Sequence, residues 1–350
     1  MNAETAKTWE RLRATRSAPP APARSTPERR RTYCTSLEQA QQMFHAAEQA
    51  GPETQPLHIF YGLSQAGRAI AAASASPLAA GDGWQLLGHG IRARSLDGPL
   101  PEIEVRSDAS GNAGSFVRLS EILQSPLLPK TADVRLRELW DCIPANHEWP
   151  IGGDEASRRM PLRVDHRSLA PDPQPQWSVG VAGLPAWLTQ AVQPRERLEE
   201  YMGAFPYAQG WELAGPRSDG SPVFQPGGEW PGSAIYLYWN LPDQDKRDFQ
   251  DAQAEFRDFL MARTRGYKGD RWFFPAVAGA DAIHPLMAWW AVLHALSMLA
   301  RYQPDQWVQH IDVDVDGSRA VAIEQLLREA LTTVPQLIAE TIEHVAKPTT

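Results

Sequence analysis

The sequence predicts a protein of the α+β class that is predominantly helical. Three observations lead to this class: apolar residues recur at three- and four-residue spacing in several long segments, one aromatic segment is typical of a buried strand, and short glycine-punctuated runs lie between them. Of the 350 residues, 43% are hydrophobic and 22% are charged, which is enough apolar material to bury one large core or two smaller ones. We therefore expect a helical core with a small β-containing insertion.

The first element, residues 1–35, is predicted to be a flexible arm rich in arginine and proline. Seven arginines, from Arg11 at one end to Arg31 at the other, are accompanied by one acid and by several prolines. Proline removes the backbone donors that a regular helix needs, so we interpret the segment as a solvated extension. The alternative is that these arginines capture nucleic acid or an acidic partner.

Residues 36–143 are predicted to contain a helical pair followed by a β-hairpin region. The segment 36–39, SLEQ, has the pattern of a capping box, and Gly51 with Pro52 ends the helix that it begins. A second helix with one apolar face follows at 56–73, so the two helices should pair. The remaining predicted elements are strands at 84–87, 103–106 and 115–119, the last two forming a hairpin, and a helix at 132–143.

Residues 144–231 are rich in proline, glycine and charge and are predicted to be a linker or an irregular region. Beyond them, residues 232–350 are predicted to be a helical region that packs on the N-terminal helices. It begins with an aromatic, β-prone segment at 234–241. Its predicted helices are 243–263, 284–302, 319–332 and 335–345, of which 284–302 is apolar on nearly all sides and is expected in the core.

The charge balance and the cysteine content narrow the functional classes. With 34 basic and 42 acidic residues the net charge is -8, which argues against a dedicated nucleic-acid coat. Two cysteines are too few for a disulfide scaffold or a thiolate metal cage, so we expect a reducing compartment. The N-terminus has no apolar signal sequence, and the most apolar segment is too short to cross a bilayer. We therefore predict a cytoplasmic protein without a membrane partner.

Four segments of the sequence resemble the YaaC-like family of bacterial proteins. They are FYGLSQAGRAIAAA at 60–73, LGHG at 87–90, HPLMAWWAVLHALSMLARYQPDQW at 284–307 and VAIEQLLREALTTVPQLIAETI at 321–342. The segments follow the order and spacing that the resemblance implies. No catalytic residues are established for this family, so the resemblance implies none for this chain.

The helix FYGLSQAGRAI also resembles the aromatic-tyrosine helix of HEPN domains, which are helical units of bacterial toxin, antitoxin and phage-defence proteins. In HEPN nucleases a closely spaced arginine and histidine cut RNA. Only Arg159 and His166 have that spacing here, and Pro161 interrupts them in a segment without helical periodicity. The resemblance therefore implies a HEPN-like helical core that binds or dimerises and has no intrinsic ribonuclease activity.

Asp312, Asp314 and Asp316, followed by a glycine, match the first half of an EF-hand calcium loop. The second half fails, because the bidentate acid that closes such a loop would fall on Ile323. The three aspartates are secondary metal candidates, and the favoured interpretation is a polar turn in which Asp316 or Ser318 caps the next helix. We expect no metal and no cofactor.

The candidate binding residues are Arg68, His89, Arg92 and Arg301. Arg68 and Arg301 lie near helix ends among apolar neighbours, where a guanidinium needs a partner. If the two arginines have a structural role, the partner is an acid or the carbonyls at a helix C-terminus. If they bind a ligand, the partner is a phosphate. His89 lies between two glycines and shortly before Arg92, so its turn is suited to an anion, with an incidental histidine in a tight turn as the alternative. His294, alone on an apolar helix, is expected to be a core residue.

The sequence favours a non-catalytic binding or interaction protein in a bacterial defence or toxin-related system, working with a protein partner or as a homodimer. The alternative is an enzyme that acts on RNA or a nucleotide through a cleft with Arg68, His89 and Arg301. The enzyme requires those side chains in one cleft, whereas the binding protein leaves them apart or internally paired. No phosphate loop and no dinucleotide-binding glycine motif occurs, which argues against a nucleoside triphosphatase and a Rossmann enzyme.

Overall fold

The computed structural model describes residues 3–108, 114–129, 134–165, 178–240 and 249–348. It divides into two compact units: unit 1 comprises Met1–Gly153 with Val277–Thr350, and unit 2 comprises Asp154–Ala276. Helix accounts for 54% of the residues and strand for 13%, which confirms a mixed α+β protein in which helix predominates. No helix within the described ranges is long and apolar enough to traverse a bilayer.

The regular elements are numbered here along the chain. The helices are α1 (Ala3–Ser17), α2 (Pro27–Gln49), α3 (Gln55–Ala73), α4 (Ser115–Ile122), α5 (Leu136–Asp141), α6 (Pro194–Met202), α7 (Phe249–Arg263), α8 (Pro285–Tyr302), α9 (Pro304–Ile311) and α10 (Gly317–Val345). The strands are β1 (Ile91–Arg94), β2 (Glu104–Ser107), β3 (Val134–Arg135), β4 (Leu162–Asp165), β5 (Ser178–Leu184), β6 (Glu212–Leu213), β7 (Gln225–Pro226), β8 (Ser233–Tyr238), β9 (Arg265–Tyr267) and β10 (Asp270–Phe273).

The core of unit 1 is built around α3 and α8, which pack directly against each other. Phe60 of α3 meets Trp290 of α8 edge-on, with ring centroids 6.1 Å apart. Gly67 permits the close approach, because a Cβ at this position would lie 2.6 Å from the ring of Trp290 and 2.7 Å from Leu119 of α4. The apolar stripe and the small residue that the sequence shows in α3 thus face the most apolar helix of the chain.

A three-stranded antiparallel sheet in the order β1-β2-β3 also belongs to unit 1. Its side chains alternate with the two-residue period of a strand: Ile91 and Val105 are buried, whereas Arg92 and Arg94 are exposed. The register places Arg92 directly opposite Arg106. One face of the sheet is therefore apolar, and the other carries arginines.

The predicted hairpin joining 103–106 to 115–119 is wrong in its second half. Strand β2 pairs with β1 and β3, and residues 115–119 lie in α4, where Phe116 and Leu119 are buried. A short apolar run fits a buried strand and a buried helix equally well, so its periodicity could not decide between them. The turn predicted at 109–113 lies outside the described residues, and 84–87 contains a turn and irregular backbone rather than a strand.

The segment predicted to be a flexible arm is largely helical in the structure. Thr26 is the N-cap of α2, and its Oγ1 accepts a hydrogen bond from the Arg29 amide at 3.1 Å. In α1, Trp9 is 3% exposed and packs against Phe44 of α2 with ring centroids 5.4 Å apart. The helix forms because its few apolar residues find partners elsewhere in unit 1. The capping box predicted at Ser36 is wrong, since Ser36 is buried inside α2.

The side chain of Arg29 ties this N-terminal segment to α3. It is 7% exposed, and its guanidinium donates to the carbonyl oxygens of Ala72 at 2.7 Å, Ser74 at 2.5 Å, Ala79 at 3.3 Å and Ala71 at 3.4 Å. The last carbonyls of a helix have no donor within the helix, so Arg29 supplies what α3 lacks. Burial lowers the pKa of this guanidinium from its usual value.

Helix α10 is a single helix where the sequence predicted two. Pro335 lies inside it, and a proline removes one backbone donor and clashes with the preceding turn, which is why a break was predicted there. Val334, Pro335 and Leu337 are all buried. The burial of apolar side chains on both sides of the proline keeps the two predicted helices in one element.

Unit 2 is built on an antiparallel sheet with the strand path β6-β8-β5-β4-β10-β9, and β7 also pairs with β8. Its core contains buried side chains from the sheet and from α6 and α7, among them Val179, Leu198, Ile235 and Phe256. The prediction of a linker over 144–231 is therefore wrong, because β4 to β7 and α6 come from that region. The strand predicted at 234–241 is confirmed as β8, and the start of the helix predicted at 243–263 lies outside the described residues.

Candidate functional site

The position of His89 is fixed by the backbone around it. Gly88 and Gly90 have φ of 63° and 69°, the left-handed region that glycine tolerates. The carbonyl of Gly88 accepts hydrogen bonds from the amide and the hydroxyl of Ser115, and the carbonyl of His89 accepts one from the Phe116 amide at 2.9 Å. The first turn of α4 therefore holds the turn that presents the imidazole.

The His89 ring lies against both core helices of unit 1. Its centroid is 5.7 Å from that of Phe60 and 6.4 Å from that of Tyr61 on α3. It is 5.9 Å from the ring of His294 on α8. An exposed imidazole thus rests on a buried one and beside a tyrosine.

Arg301 completes this arrangement from the end of α8. Its Nη1 donates to the hydroxyl oxygen of Tyr61 at 2.9 Å, and its guanidinium lies 5.1 Å from the centroid of the Tyr302 ring. His294 and Arg301 are seven residues apart and so lie on the same face of the helix. We refer to Tyr61, His89, His294 and Arg301 as the Arg301 cluster.

Burial disfavours the charged form of both imidazoles in the Arg301 cluster. Burial, with a smaller contribution from the charge of His89, lowers the pKa of His294 to about 3. Partial burial and then the positive charge of Arg301 lower the pKa of His89. His294 is 2% exposed, and its Nδ1 has no hydrogen-bond partner within the part of the chain that the structure describes.

The charge and donor set of the Arg301 cluster suit an anion. Arg301 is exposed, and it makes no ion pair with any carboxylate among the described residues. The Tyr61 hydroxyl accepts from Arg301 and keeps its own proton to donate, and neutral His89 has one donor and one acceptor nitrogen. One uncompensated guanidinium with two neutral donors beside it can bind a phosphate or a carboxylate.

The structure brings together two of the four predicted binding residues. His89 and Arg301 share the cluster, whereas Arg92 pairs with Asp108 at 2.6 Å. Arg68 is exposed on α3, and its position seven residues after Tyr61 places it about 10 Å further along that helix. The sequence suggested that Arg68 and Arg301 bond to the carbonyls at a helix C-terminus. In the structure Arg29 of α2 makes such bonds, at the end of α3.

Sequence reasoning missed Tyr61 and assigned His294 to the core alone. A signal for His294 was present, because its seven-residue spacing from Arg301 predicts a shared helix face. No comparable signal links Tyr61 to Arg301, since they are 240 residues apart. Their contact follows from the packing of α3 on α8.

The other predicted site residues take part in local structure. The Asp312 carboxylate accepts a hydrogen bond from the Asp314 amide at 2.9 Å, and Asp316, at the start of α10, pairs with Arg319. Among the described residues, no three or more metal-ligating side chains lie close enough together to hold a metal ion. Arg159 lies over the Tyr201 ring at 4.9 Å, and its predicted partner at position 166 lies outside the described residues.

The fold and the site together define a mixed α+β protein whose helical unit carries an arginine, tyrosine and histidine cluster at the junction of two core helices. A family model described as YaaC-like Protein matches residues 2–342. The chain therefore belongs to the YaaC-like family, as the four matching segments of its sequence indicated. No curated protein and no solved structure matches the chain.

The burial of His294 predicts a loss of stability in acid. The pKa of an unfolded histidine is about 6.5, and that of folded His294 is about 3, so between these values the unfolded chain binds a proton that the folded protein does not. The free energy of unfolding should therefore fall as the pH is lowered from about 6.5 towards 3, with a contribution of up to about 1.4 kcal/mol per pH unit. Urea unfolding at a series of pH values measures this slope.

Two variants separate His294 from the other groups that titrate in this range. His294→Leu removes the titrating group and should flatten the slope. His45→Gln alters an exposed histidine whose Nδ1 lies 3.4 Å from the Glu48 carboxylate, and it should change the slope far less than His294→Leu does. Equal slopes in the wild type and in His294→Leu would contradict the assignment.

Proposed function

We propose that this protein is a binding protein whose Arg301 cluster holds a phosphate-bearing ligand. The observation that carries the proposal is the Arg301 guanidinium, fixed by the Tyr61 hydroxyl beside His89 and without an acidic partner among the described residues. An arginine held in one orientation presents its remaining N–H donors to an oxyanion in a defined geometry. A phosphate fits this donor set because it offers several acceptor oxygens and a charge that balances the arginine.

An enzyme acting on RNA or a nucleotide remains the second candidate. The lowered pKa of His89 favours it, because a neutral imidazole beside a cation can accept a proton from an attacking hydroxyl. Two features favour binding over catalysis. His294 is buried away from solvent, and Arg68 makes no hydrogen bond or ring contact with any member of the Arg301 cluster among the described residues. Only one accessible imidazole is then left to serve as both general acid and general base.

We propose further that the helical core is a HEPN-like scaffold and that the protein serves a bacterial defence or toxin-related system with a protein partner or a second copy of itself. Support comes from the likeness of the FYGLSQAGRAI helix, which is α3, to the corresponding HEPN helix. A shared scaffold is an analogy of fold and does not specify the partner. The mass of the purified protein in solution tests self-association directly.

The binding proposal is tested by titrating the protein with inorganic phosphate and with uridine monophosphate while following the histidine ring protons by NMR. The His89 signals should shift and saturate. Arg301→Ala should weaken binding about tenfold or more, because it removes the charged donor, and Arg68→Ala is the matched control with an exposed arginine of α3. Unchanged affinity in Arg301→Ala would contradict the proposal.

Cleavage distinguishes the second candidate. The same preparation is incubated with total RNA, beside His89→Ala. Binding without cleavage supports the proposal, whereas cleavage that disappears in His89→Ala replaces it with the enzyme.

A further inference from the structure

We propose that the arginine-bearing face of β1 and β2 extends the Arg301 cluster into a surface for single-stranded nucleic acid. The inference rests on the proposed function and names its ligand class: a chain of phosphodiesters rather than an isolated phosphate. The surface consists of Arg92, Arg94 and Arg106, which we call the strand arginines.

The alternation of the strands places the strand arginines on one face. Arg92 and Arg94 are two residues apart on β1, so their side chains leave the same side of the sheet about 6.6 Å apart. Arg106 on β2 is directly opposite Arg92 in the register, at about 5 Å between Cβ atoms. Like charges directly opposite each other destabilise a strand pair. Asp108 already offsets the charge of Arg92, and an anionic ligand would offset that of Arg106.

Two acids lie near this face, and each has an arginine partner. One of those partners is a strand arginine, and the other is not. Asp108 pairs with Arg92 at 2.6 Å and neutralises it. Glu104 is opposite Arg94 in the register, but its carboxylate is held by Arg135 at 3.0 Å. Arg94 and Arg106 make no ion pair with any described residue. In a chain with a net charge of -8, Arg94 and Arg106 lie diagonally across the β1–β2 pair without acidic partners among the described residues and form a local site of positive charge.

The strand arginines follow the Arg301 cluster along the chain, since Arg92 is three residues after His89. Strand β1 begins two residues after His89, and β1 contacts α8, the helix that carries Arg301 in its last turn. Beyond β1, the carbonyl of Asp97 accepts a hydrogen bond from the Gln306 side chain of α9 at 3.4 Å. The turn before β1 thus reaches the middle of α8 at His294, and the loop after β1 reaches α9.

An exposed aromatic side chain next to Arg301 favours a nucleic acid over an acidic protein. Tyr302 is 58% exposed, with the Arg301 guanidinium over its ring at 5.1 Å. Bases stack on exposed aromatic rings of this kind, whereas acidic side chains gain nothing from them.

Fluorescence anisotropy with single strands of about ten nucleotides, one of uridine and one of deoxythymidine, tests the inference. The Arg94→Ala/Arg106→Ala protein should bind either strand about tenfold more weakly than the wild type. Between about 50 and 200 mM salt, log affinity decreases with log salt, and this dependence should become less steep by about 1.4. Each lost phosphate contact accounts for about 0.7 of that change. Its affinity for uridine monophosphate should match that of the wild type.

The matched control is Arg30→Ala/Arg31→Ala, which removes two exposed arginines of α2. This variant should retain both affinity and salt slope. The inference is overturned if the oligonucleotides bind no more tightly than uridine monophosphate, or if only the α2 variant loses affinity. If phosphate fails to shift the His89 signals while oligonucleotide affinity still depends on Arg94 and Arg106, the proposed function fails and the strand arginines stand alone as the site.

Discussion

Replacing Arg29 with alanine is expected to lower the free energy of unfolding by about 3 to 5 kcal/mol. The guanidinium donates to four carbonyl oxygens at and beyond the end of α3, and it is 7% exposed. Alanine removes the guanidinium donor from these carbonyls, of which that of Ala71 keeps the Ser74 amide at 3.2 Å, and it leaves a void where the side chain packed. Loss of a buried charged hydrogen-bond network is among the few mechanisms with effects of this size. Urea unfolding measured at one pH gives the difference.

Two further variants distinguish the hydrogen bonds of Arg29 from its position in α2. Arg30→Ala changes the next residue, which is exposed, and should stay within about 0.5 kcal/mol of the wild type. Arg29→Lys keeps the charge but loses the planar fork, so it should fall between the alanine variant and the wild type. If Arg29→Ala were as stable as Arg30→Ala, the N-terminal segment would be the solvated extension that its composition suggests.

Arg29 also shows which features of the N-terminal segment could be predicted from the sequence and which could not. The proline and arginine content of residues 1–35 indicated a mobile arm, yet Thr26, Pro27 and Glu28 have the order of an N-cap, a first-turn proline and a first-turn acid. That local signal was available and predicts the start of α2. The destination of the Arg29 side chain was not available, because its acceptors lie more than 40 residues further along the chain.

The strongly periodic parts of the fold were predictable for a simple reason. Helices α3 and α8 bury most of their residues, so their sequences show long apolar patterns. Strands of unit 2 such as β4, with four residues, and β5, with glycines inside it, are too short or too irregular for such a pattern. Strand β4 pairs with β10 and β5 pairs with β8, which lie far away in sequence, so no local window contains both partners of these pairings.

The candidate site, like the fold, has features that the sequence predicts and features that it does not. The glycines around His89 marked an exposed turn, and the end of the apolar helix marked Arg301, so each could be singled out by itself. Their convergence with Tyr61 depends on how closely α3 and α8 approach, which is set by the contact between Gly67 and Trp290. Sequence alone could therefore name two members of the cluster and could not place them together.

The dependence of the site on this packing leads to the second large effect, at Leu296. The side chain is fully buried in α8, between His294 and Arg301 in sequence, and Leu296→Ala should lower the free energy of unfolding by about 2 to 5 kcal/mol through lost burial and the cavity left behind. Leu296→Met conserves volume and should cost less than about 1.5 kcal/mol, while Val308→Ala, at a position 48% exposed on α9, should stay within about 0.5 kcal/mol. Urea unfolding of the three variants checks the order, and a loss at Leu296→Ala as small as that at Val308→Ala would show that α8 is not the centre of the core.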